Sequence, residues 1–385
     1  MARHDLLIVG AGPVGLALAL ALKDSGLAVA LADARPRAAV TTDPRVLALA
    51  HGTRLTLERL GVWDRLEATP IRHIHVSQQG GFGRTQLDAT DHDVPALGYV
   101  LPAGALAGAL RTAVEQTDIA IMDETEVGAL TPAGELVTAA VSGPGCSAHG
   151  GSVTVRLVAC AEGGLKGGAA DVVERDYHQH ALIARLGIDG SHHDTAFERF
   201  TAEGPIALLP HGKDYALVHV VAPERASELL ALPDAAYLQH LQARFGSRVH
   251  FSRVAERLRY PLGLRYRRDP VATRTVWLGN AAQTLHPVAG QGFNLALRDV
   301  WGLARILRDH PGDPGNPATL AAYRASRRLD RFGAIHFTDS LVRIFSNDFA
   351  PLHHARGAAL FALDMLPPLR HFIARRMMFG ARAWP

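Results

Sequence analysis

Asp5-Leu-Leu-Ile-Val-Gly10-Ala-Gly-Pro-Val-Gly15-Leu-Ala-Leu-Ala-Leu-Ala-Leu22 carries a strand, a turn and a helix in immediate succession. The run before Gly10 is apolar without alternation, which suits a strand buried on both faces of a parallel sheet. Leu and Ala then fill a strong helix former up to Leu22, and Gly26 ends it. Ala28-Val-Ala-Leu-Ala-Asp33 reads as the next buried strand, completing a βαβ unit. Gly10 permits the sharp turn, Gly12 lets a pyrophosphate approach the backbone, and Gly15 lets helix and strand pack closely. The free N–H groups of the helix start favour phosphate. Asp33, 18 residues past Gly15, is placed to accept hydrogen bonds from a ribose. A chance glycine cluster would lack this agreement of strand, spacing, helix and terminal acid. Gly10, Gly12, Pro13, Val14, Gly15, Asp33 and Arg35 are therefore candidate cofactor contacts. Alone, the motif does not choose between NAD and FAD.

A second segment, Leu278-Gly-Asn-Ala-Ala-Gln-Thr-Leu-His-Pro-Val-Ala-Gly-Gln-Gly-Phe-Asn-Leu-Ala-Leu-Arg-Asp-Val300, lies about 270 residues further on. Arg274 to Gly279 reads as a buried strand entering a loop, and helical spacing follows from about Phe293 to Leu307. Asn280 can hydrogen-bond ribityl hydroxyls, and the amides around Gly290-Gln-Gly292 can face a ring edge. Two backbone-exposing segments so far apart suit one extended cofactor held at both ends, which points to a flavin. Gly279, Asn280, Pro287, Gly290, Gln291, Gly292, Phe293 and Asn294 join the candidates, and His286 beside Pro287 is the residue to test as a base. For Pro287, Phe293 and Asn294 the competing reading is a shaped turn and a helix cap.

At 385 residues the chain is long enough for two domains or one large one. Hydrophobic residues at 48% and charged residues at 20% fit a globular protein. A formal charge of only +3, with no long basic tract, argues against nucleic-acid binding. Cys146 and Cys160 fit no metal-ligand spacing, so no metal site is expected, and stray thiols suit a reducing, cytoplasmic setting. The glycines near the N-terminus interrupt a signal-peptide reading, and no apolar run is long enough for a membrane span.

The second segment resembles the C-terminal FAD motif of class A flavoprotein monooxygenases. More narrowly, the chain is similar to ubiquinone-biosynthesis hydroxylases of the 2-octaprenyl-6-methoxyphenol hydroxylase type. Supporting resemblances are Asp43-Pro-Arg45, Leu60-Gly-Val-Trp63, His75-Val-Ser77, Leu97-Gly-Tyr99 and Tyr260-Pro-Leu262, with Tyr323, Arg327, Asp330, Phe337-Thr-Asp339 and Phe345-Ser-Asn347 in the tail. The resemblance implies that Arg45 contacts FAD near its phosphates, that Pro287 and Gly290–Gly292 flank the isoalloxazine, and that Asn294 helps hold the ring. It implies NAD(P)H as a transient electron donor, O2 as co-substrate and a prenylated phenol as substrate. Departures are Asn280 where many relatives have Asp, and Ala161-Glu-Gly163 for Ala-Asp-Gly, which makes Glu162 the contact there. Lys166 and Ala169 replace a Ser and an Arg, and Leu101-Pro-Ala-Gly104 lacks a polar side chain used by relatives. Rival readings are another FAD oxidoreductase of the same fold, or a flavin-free scaffold in a quinone-biosynthesis complex; the halogenase Trp-x-Trp-x-Ile-Pro motif is absent.

The expected fold is α/β with an α+β insert. An FAD-binding, Rossmann-like three-layer domain (1–70, 98–177 and 266–315) would carry an antiparallel substrate domain (71–97 and 178–265) and a helical C-terminal region (316–385). Ala181 to Arg185, Ile206 to Leu209 and Tyr215 to Val221 read as strands of the substrate sheet, separated by turn residues. His178, His180 and His219 are read as ordinary sheet residues. The tail is expected to break at Pro351 and at Pro367-Pro368. Residues 351–385 hold five arginines against one aspartate among apolar side chains. Such a tail fits either a packing helix with a solvated face or peripheral contact with the inner face of the cell membrane, where other quinone-biosynthesis proteins could also dock.

Overall fold

The computed structural model describes residues 4–149, 151–165, 170–345 and 350–381. Its centre is a six-stranded sheet ordered Val271–Ala272, Thr275–Trp277, Leu157–Cys160, Leu6–Val9, Val29–Ala32, Ala120–Met122. All neighbouring pairs are parallel except the antiparallel edge pair Val271–Ala272 with Thr275–Trp277. Leu6, Leu7, Ile8, Leu31 and Val158 are fully buried, as unalternating apolar strands covered on both faces should be. The helix Pro13–Leu22 and the helix Gln291–Asp309 pack on one side, sharing a core of Leu16, Leu18, Val276, Leu297, Val300 and Leu303. On the other side the sheet Glu126–Ala133, Leu136–Ser142, Ser152–Val155 covers Leu7, Ala30 and Val158. Cys160 packs in that layer, where burial raises its thiol pKa to about 12 and makes it inert.

A nine-stranded sheet stands over the first domain, ordered Gln283–Thr284, Leu258–Arg267, Val172–Ile188, Asp214–Val221, Pro205–His211, Thr195–Phe200, His73–Gln78, Arg84–Asp88, with Phe251–Val254 paired to Val172–Ile188. The three strands expected from the middle of the chain lie within it. We retain the domain division given above as a proposal; its boundary at 177/178 falls within the long strand Val172–Ile188 of this roof sheet. Alternation gives the roof two faces. Leu182, Leu208, Tyr215 and Leu217 pack outward under the helices Pro223–Ala231 and Asp234–Phe245. The opposite face rests on the first domain, where Ala196 meets Ile71 and Val100, and Phe200 meets Val288 and Phe345.

The tail is helical, with Pro317–Phe345, Ala350–Met365 and Pro367–Phe379. The last two part at Leu366, before Pro367-Pro368 as expected, while Pro351 lies in the first turn of its helix and residues 346–349 lie outside the described residues. Of the tail residues quoted above, Ser346 and Asn347 lie outside the described residues. The helix Pro317–Phe345 is tied beneath the second motif by buried charges. Arg327 donates to Asp299 at 2.8 Å and to Asp330 at 2.7 Å, while Arg298 donates to Asp330 at 2.7 Å. Gln283 donates to Asp299 and accepts from Arg331, extending the network to the loop itself. Burial alone would raise the Asp330 pKa, but Arg298 and Arg327 outweigh it and hold that carboxyl far below its usual range.

The close approach of helix to strand at the first motif sets a steric limit. A Cβ on Gly15 would lie 1.9 Å from the Gly10 carbonyl oxygen, with backbone on both sides of the clash. Gly15→Ala is expected to prevent stable folding, as an overpacked backbone contact cannot relax by rotamer change. Circular dichroism and thermal melting of the purified variant check this; an unchanged melt would contradict it. Arg327→Leu is expected to cost about 3–5 kcal/mol by leaving Asp299 and Asp330 buried without their shared cation, as read by denaturant unfolding.

Candidate active site

Because the strands are parallel, their C-terminal ends open on one edge of the sheet, where open α/β sheets bind ligands. Val9 leads to Gly10, Ala32 to Asp33, Cys160 to Ala161 and Glu162, and Trp277 to Gly279. The two distant motifs are joined directly. A Cβ on Gly279 would lie 3.1 Å from Val14 Cγ2, and one on Gly290 would lie 3.4 Å from Ala48 Cβ.

Around the first turn, Pro13 begins the helix and Gly12 precedes it in extended backbone. A Cβ on Gly10, whose φ is +105°, would lie 2.7 Å from the Glu162 amide nitrogen, so glycine is required there for packing. Gly12 differs: only the Arg35 guanidinium, at 3.9 Å, comes near its missing Cβ. That open cradle at a helix N-terminus suits a phosphate. Asp33 is buried and fixes the turn, accepting from Ala11 N–H at 2.7 Å and from the Arg35 side chain at 2.9 and 3.0 Å. Burial pushes its pKa up, but the hydrogen bonds from Arg35 and Ala11 prevail and keep it ionised. Arg45 is exposed and paired with Asp43 at the start of the strand Val46–Ala50. Glu162 lies exposed beside Gly10. Lys166 and Ala169 lie outside the described residues.

In the second loop, Asn280 is exposed in the 3-10 turn Gly279–Ala281, and Gly292 has open space where a side chain would stand. Pro287 is exposed at the start of the turn Val288–Gly290. Phe293 is partly buried against the shared core. Two expectations change, those for the side chains of Asn294 and His286. Asn294 is 2% exposed and its amide is fully used. Its Oδ1 accepts from Ala50 N–H and the Thr53 hydroxyl, and its Nδ2 donates to the Ala48 and Gly290 carbonyls. With its amide fully used, Asn294 pins the loop to the strand Val46–Ala50 and has no hydrogen bond left to give a ring. Gln291 is buried and its side chain turns to the Met377 carbonyl at 3.4 Å, which leaves its backbone as the group facing the cleft.

His286 is the second. Its Nδ1 accepts from Val288 N–H at 3.1 Å, so the neutral ring carries its proton on Nε2 and has no free lone pair. It is 1% exposed, and burial lowers its pKa to about 4. A buried ring in this tautomer is a donor, not the base expected from its place beside Pro287.

One acid on the roof escaped notice in the sequence. Glu198 lies on the strand Thr195–Phe200 between Ala196 and Phe200, on the face turned to the flavin loop. Period-two alternation in Ala196-Phe-Glu-Arg-Phe200 puts an acid among apolar neighbours, which was the available signal. Glu203, His219 and His240 bring ligand-type atoms within 4.8 Å of one another, but on the outer face. There Glu203 is already engaged by Arg244 at 2.9 Å and Arg225 at 3.5 Å. His219 is buried beside Tyr237 on that outer face.

The site residues fit FAD: an open glycine at a helix start, an exposed amide side chain at the next strand end, and a second open glycine beyond it. Comparison with known proteins agrees. The chain matches the FAD binding domain family over residues 3–336. It is 34% identical over 396 aligned positions to the ubiquinone hydroxylase UbiL of Rhodospirillum rubrum, covering 99% of this chain and 91% of that protein. It is 28% identical to the 3-demethoxyubiquinol 3-hydroxylase of Escherichia coli, covering 94% of each. Among solved structures, p-nitrophenol 4-monooxygenase PnpA from Pseudomonas putida DLL-E4 shares the fold, with a TM-score of 0.76 at 18% identity over 99% of both chains. The chain is a member of the FAD binding domain family, of the class A flavoprotein monooxygenase type.

Proposed function

We propose that this protein is an FAD-dependent, NAD(P)H-using monooxygenase that hydroxylates a prenylated phenol in ubiquinone biosynthesis. The observation that carries the reading is the single edge shared by the turn at Gly12 and the loop at Gly292, with an apolar sheet face standing over the latter. Bound FAD would supply the two-electron chemistry and the activation of O2, one oxygen atom entering the ring and the other leaving as water. The chain's part is to hold and shield. Gly12 and the helix start at Pro13 would take the pyrophosphate, Asp33 and Arg35 the adenosine end, and Asn280 the ribityl hydroxyls. Arg45 and Glu162 would border the cofactor from neighbouring elements, and the backbone of Pro287–Gly292 would frame the isoalloxazine. Phe200, Val76 and Val288 would exclude water from the reacting ring.

A lipid-borne substrate also gives the tail a role. Its inner face is packing: Ala374 and Met378 are buried against Leu87, Ala89 and Leu97. Its outer face leaves Leu329, Phe332 and Phe372 at 74%, 62% and 67% exposed, with Met365 and Leu366 nearby in sequence to the last helix. Arg328 and Arg375 are exposed on the same helices. No helix among the described residues is long and apolar enough to cross a membrane. This combination supports peripheral contact with an anionic lipid surface through the tail.

The protein is expected to purify yellow with a flavin absorption spectrum, to oxidise NADH or NADPH, and to convert a prenylated phenol to its hydroxylated product, as followed by mass spectrometry. Bound flavin with no hydroxylation of any prenylated phenol would count against the assignment. Gly12→Ala is expected to fold normally, since its Cβ meets only a movable guanidinium end, yet to lose FAD affinity at least tenfold. Fluorescence titration of the apoprotein with FAD reads this out.

A further inference from the structure

The roof sheet holds a carboxyl group, Glu198, that forms no ion pair among the described residues. Glu198 pairs in register with Val76 on the strand His73–Gln78 and with Ala207 on the strand Pro205–His211. Paired residues share a face, so Glu198 stands among Ile74, Val76, Ala196, Phe200 and Ala207. Its flanking residues belong to the two apolar clusters that join roof and flavin domain, one through Val100 and the other through Val288. Glu198 is thus suspended over the second loop. Its Oε1 is buried without a hydrogen-bond partner among the described residues, and so is Gln78 Oε1 on the same face. On the second loop, two residues before Val288, the His286 Nε2 that carries the proton is likewise without a partner among the described residues. Buried polar groups are almost always satisfied, and those left open at a cleft mark where a ligand completes them.

We propose that Glu198 is the catalytic base that takes the hydroxyl proton of the phenol substrate. This deepens the hydroxylase reading and rests on it. The phenol O–H bond breaks, its electron pair stays on oxygen and enriches the ring, and the proton forms a new O–H bond on the Glu198 carboxylate. The proton is given up to water when product leaves, so the step needs no oxidant beyond those already assigned.

The carboxyl is suited to the task. Burial raises its pKa from the ordinary glutamate range to about 7, where a base is both ionised and strong enough to act. Among the charged groups near this space, Arg356, from the helix Ala350–Met365, is buried over the Phe345 ring. Tyr177 and Arg175, from the long strand, and Arg343, from the helix Pro317–Phe345, gather on Asp339 of that helix. His286 stays neutral, its pKa lowered by burial to about 4. Arg199, the next residue, points to the outer face, where it donates to the Arg244 carbonyl and to Ser77.

Three measurements on the FAD-loaded protein test the proposal. Glu198→Gln should lower hydroxylated product formed per NAD(P)H consumed by about 10²-fold, and the ionisation near neutral pH in the kcat/KM profile should vanish. Glu198→Leu should bind a substrate phenol and its O-methyl ether equally, by flavin fluorescence, whereas the parent protein should prefer the phenol at pH 8. Thermal melts should show Glu198→Gln stabilised relative to the parent. The sign follows from a raised folded-state pKa: the parent loses stability as pH climbs from about 4.5 to about 7, so the gap must widen over that window. Unchanged coupling and pH profile in Glu198→Gln, or an undiminished preference for the phenol in Glu198→Leu, would overturn it. Should the parent hydroxylate nothing, the function assignment fails, while the melts and the phenol–ether comparison still judge whether Glu198 faces a phenol site.

Discussion

The seating of the Pro13–Leu22 helix on the Leu6–Val9 strand governs the rest of the architecture. Gly15 and Gly10 meet with no room for a side chain, and Gly10 meets the Glu162 backbone in the same way. Asp33 then locks the turn by accepting from Ala11 N–H across the mouth of the sheet. These contacts hold the helix N-terminus at the strand ends, where its free amides and dipole face outward. Parallel pairing does the remainder, since it brings Asp33, Glu162 and Gly279 to the same edge from distant parts of the chain.

The second loop is held by a different device. Asn294 spends its whole amide on Ala48, Ala50, Thr53 and Gly290, so loop and neighbouring strand move as one body. Beneath it, the Arg327–Asp299–Asp330–Arg298 network ties the long tail helix to the loop helix. Replacing one partner leaves buried charge uncompensated, which is why such a network fixes geometry more than it adds net stability. The tail therefore supports the floor of the site, while its outer apolar side chains Leu329, Phe332 and Phe372 remain exposed.

The first domain was legible because each of its signals is local. A strand, three glycines at fixed spacing, an alanine–leucine helix and a terminal acid all lie within residues 5 to 33. The second motif was legible as a loop and helix but not in its internal bonding. Nothing in the sequence separates an Asn that faces a ring from one that closes a turn, and Asn294 proved to be the latter. His286 could stand only as a base to test for a related reason, since its tautomer is set by the Val288 amide two residues on. Glu198 was missed because alternation aligns it with Ala196 and Phe200 but does not say that this face is covered; the register with Val76 and Ala207 does. Propensity along one strand does not say which face is covered.

A crystal structure of the FAD-loaded protein would examine the account most directly. Continuous density should run from Asp33 and Gly12 to the Pro287–Gly292 turn, with the isoalloxazine lying below Glu198. Flavin density elsewhere on the molecule, or an isoalloxazine remote from the roof sheet, would contradict it.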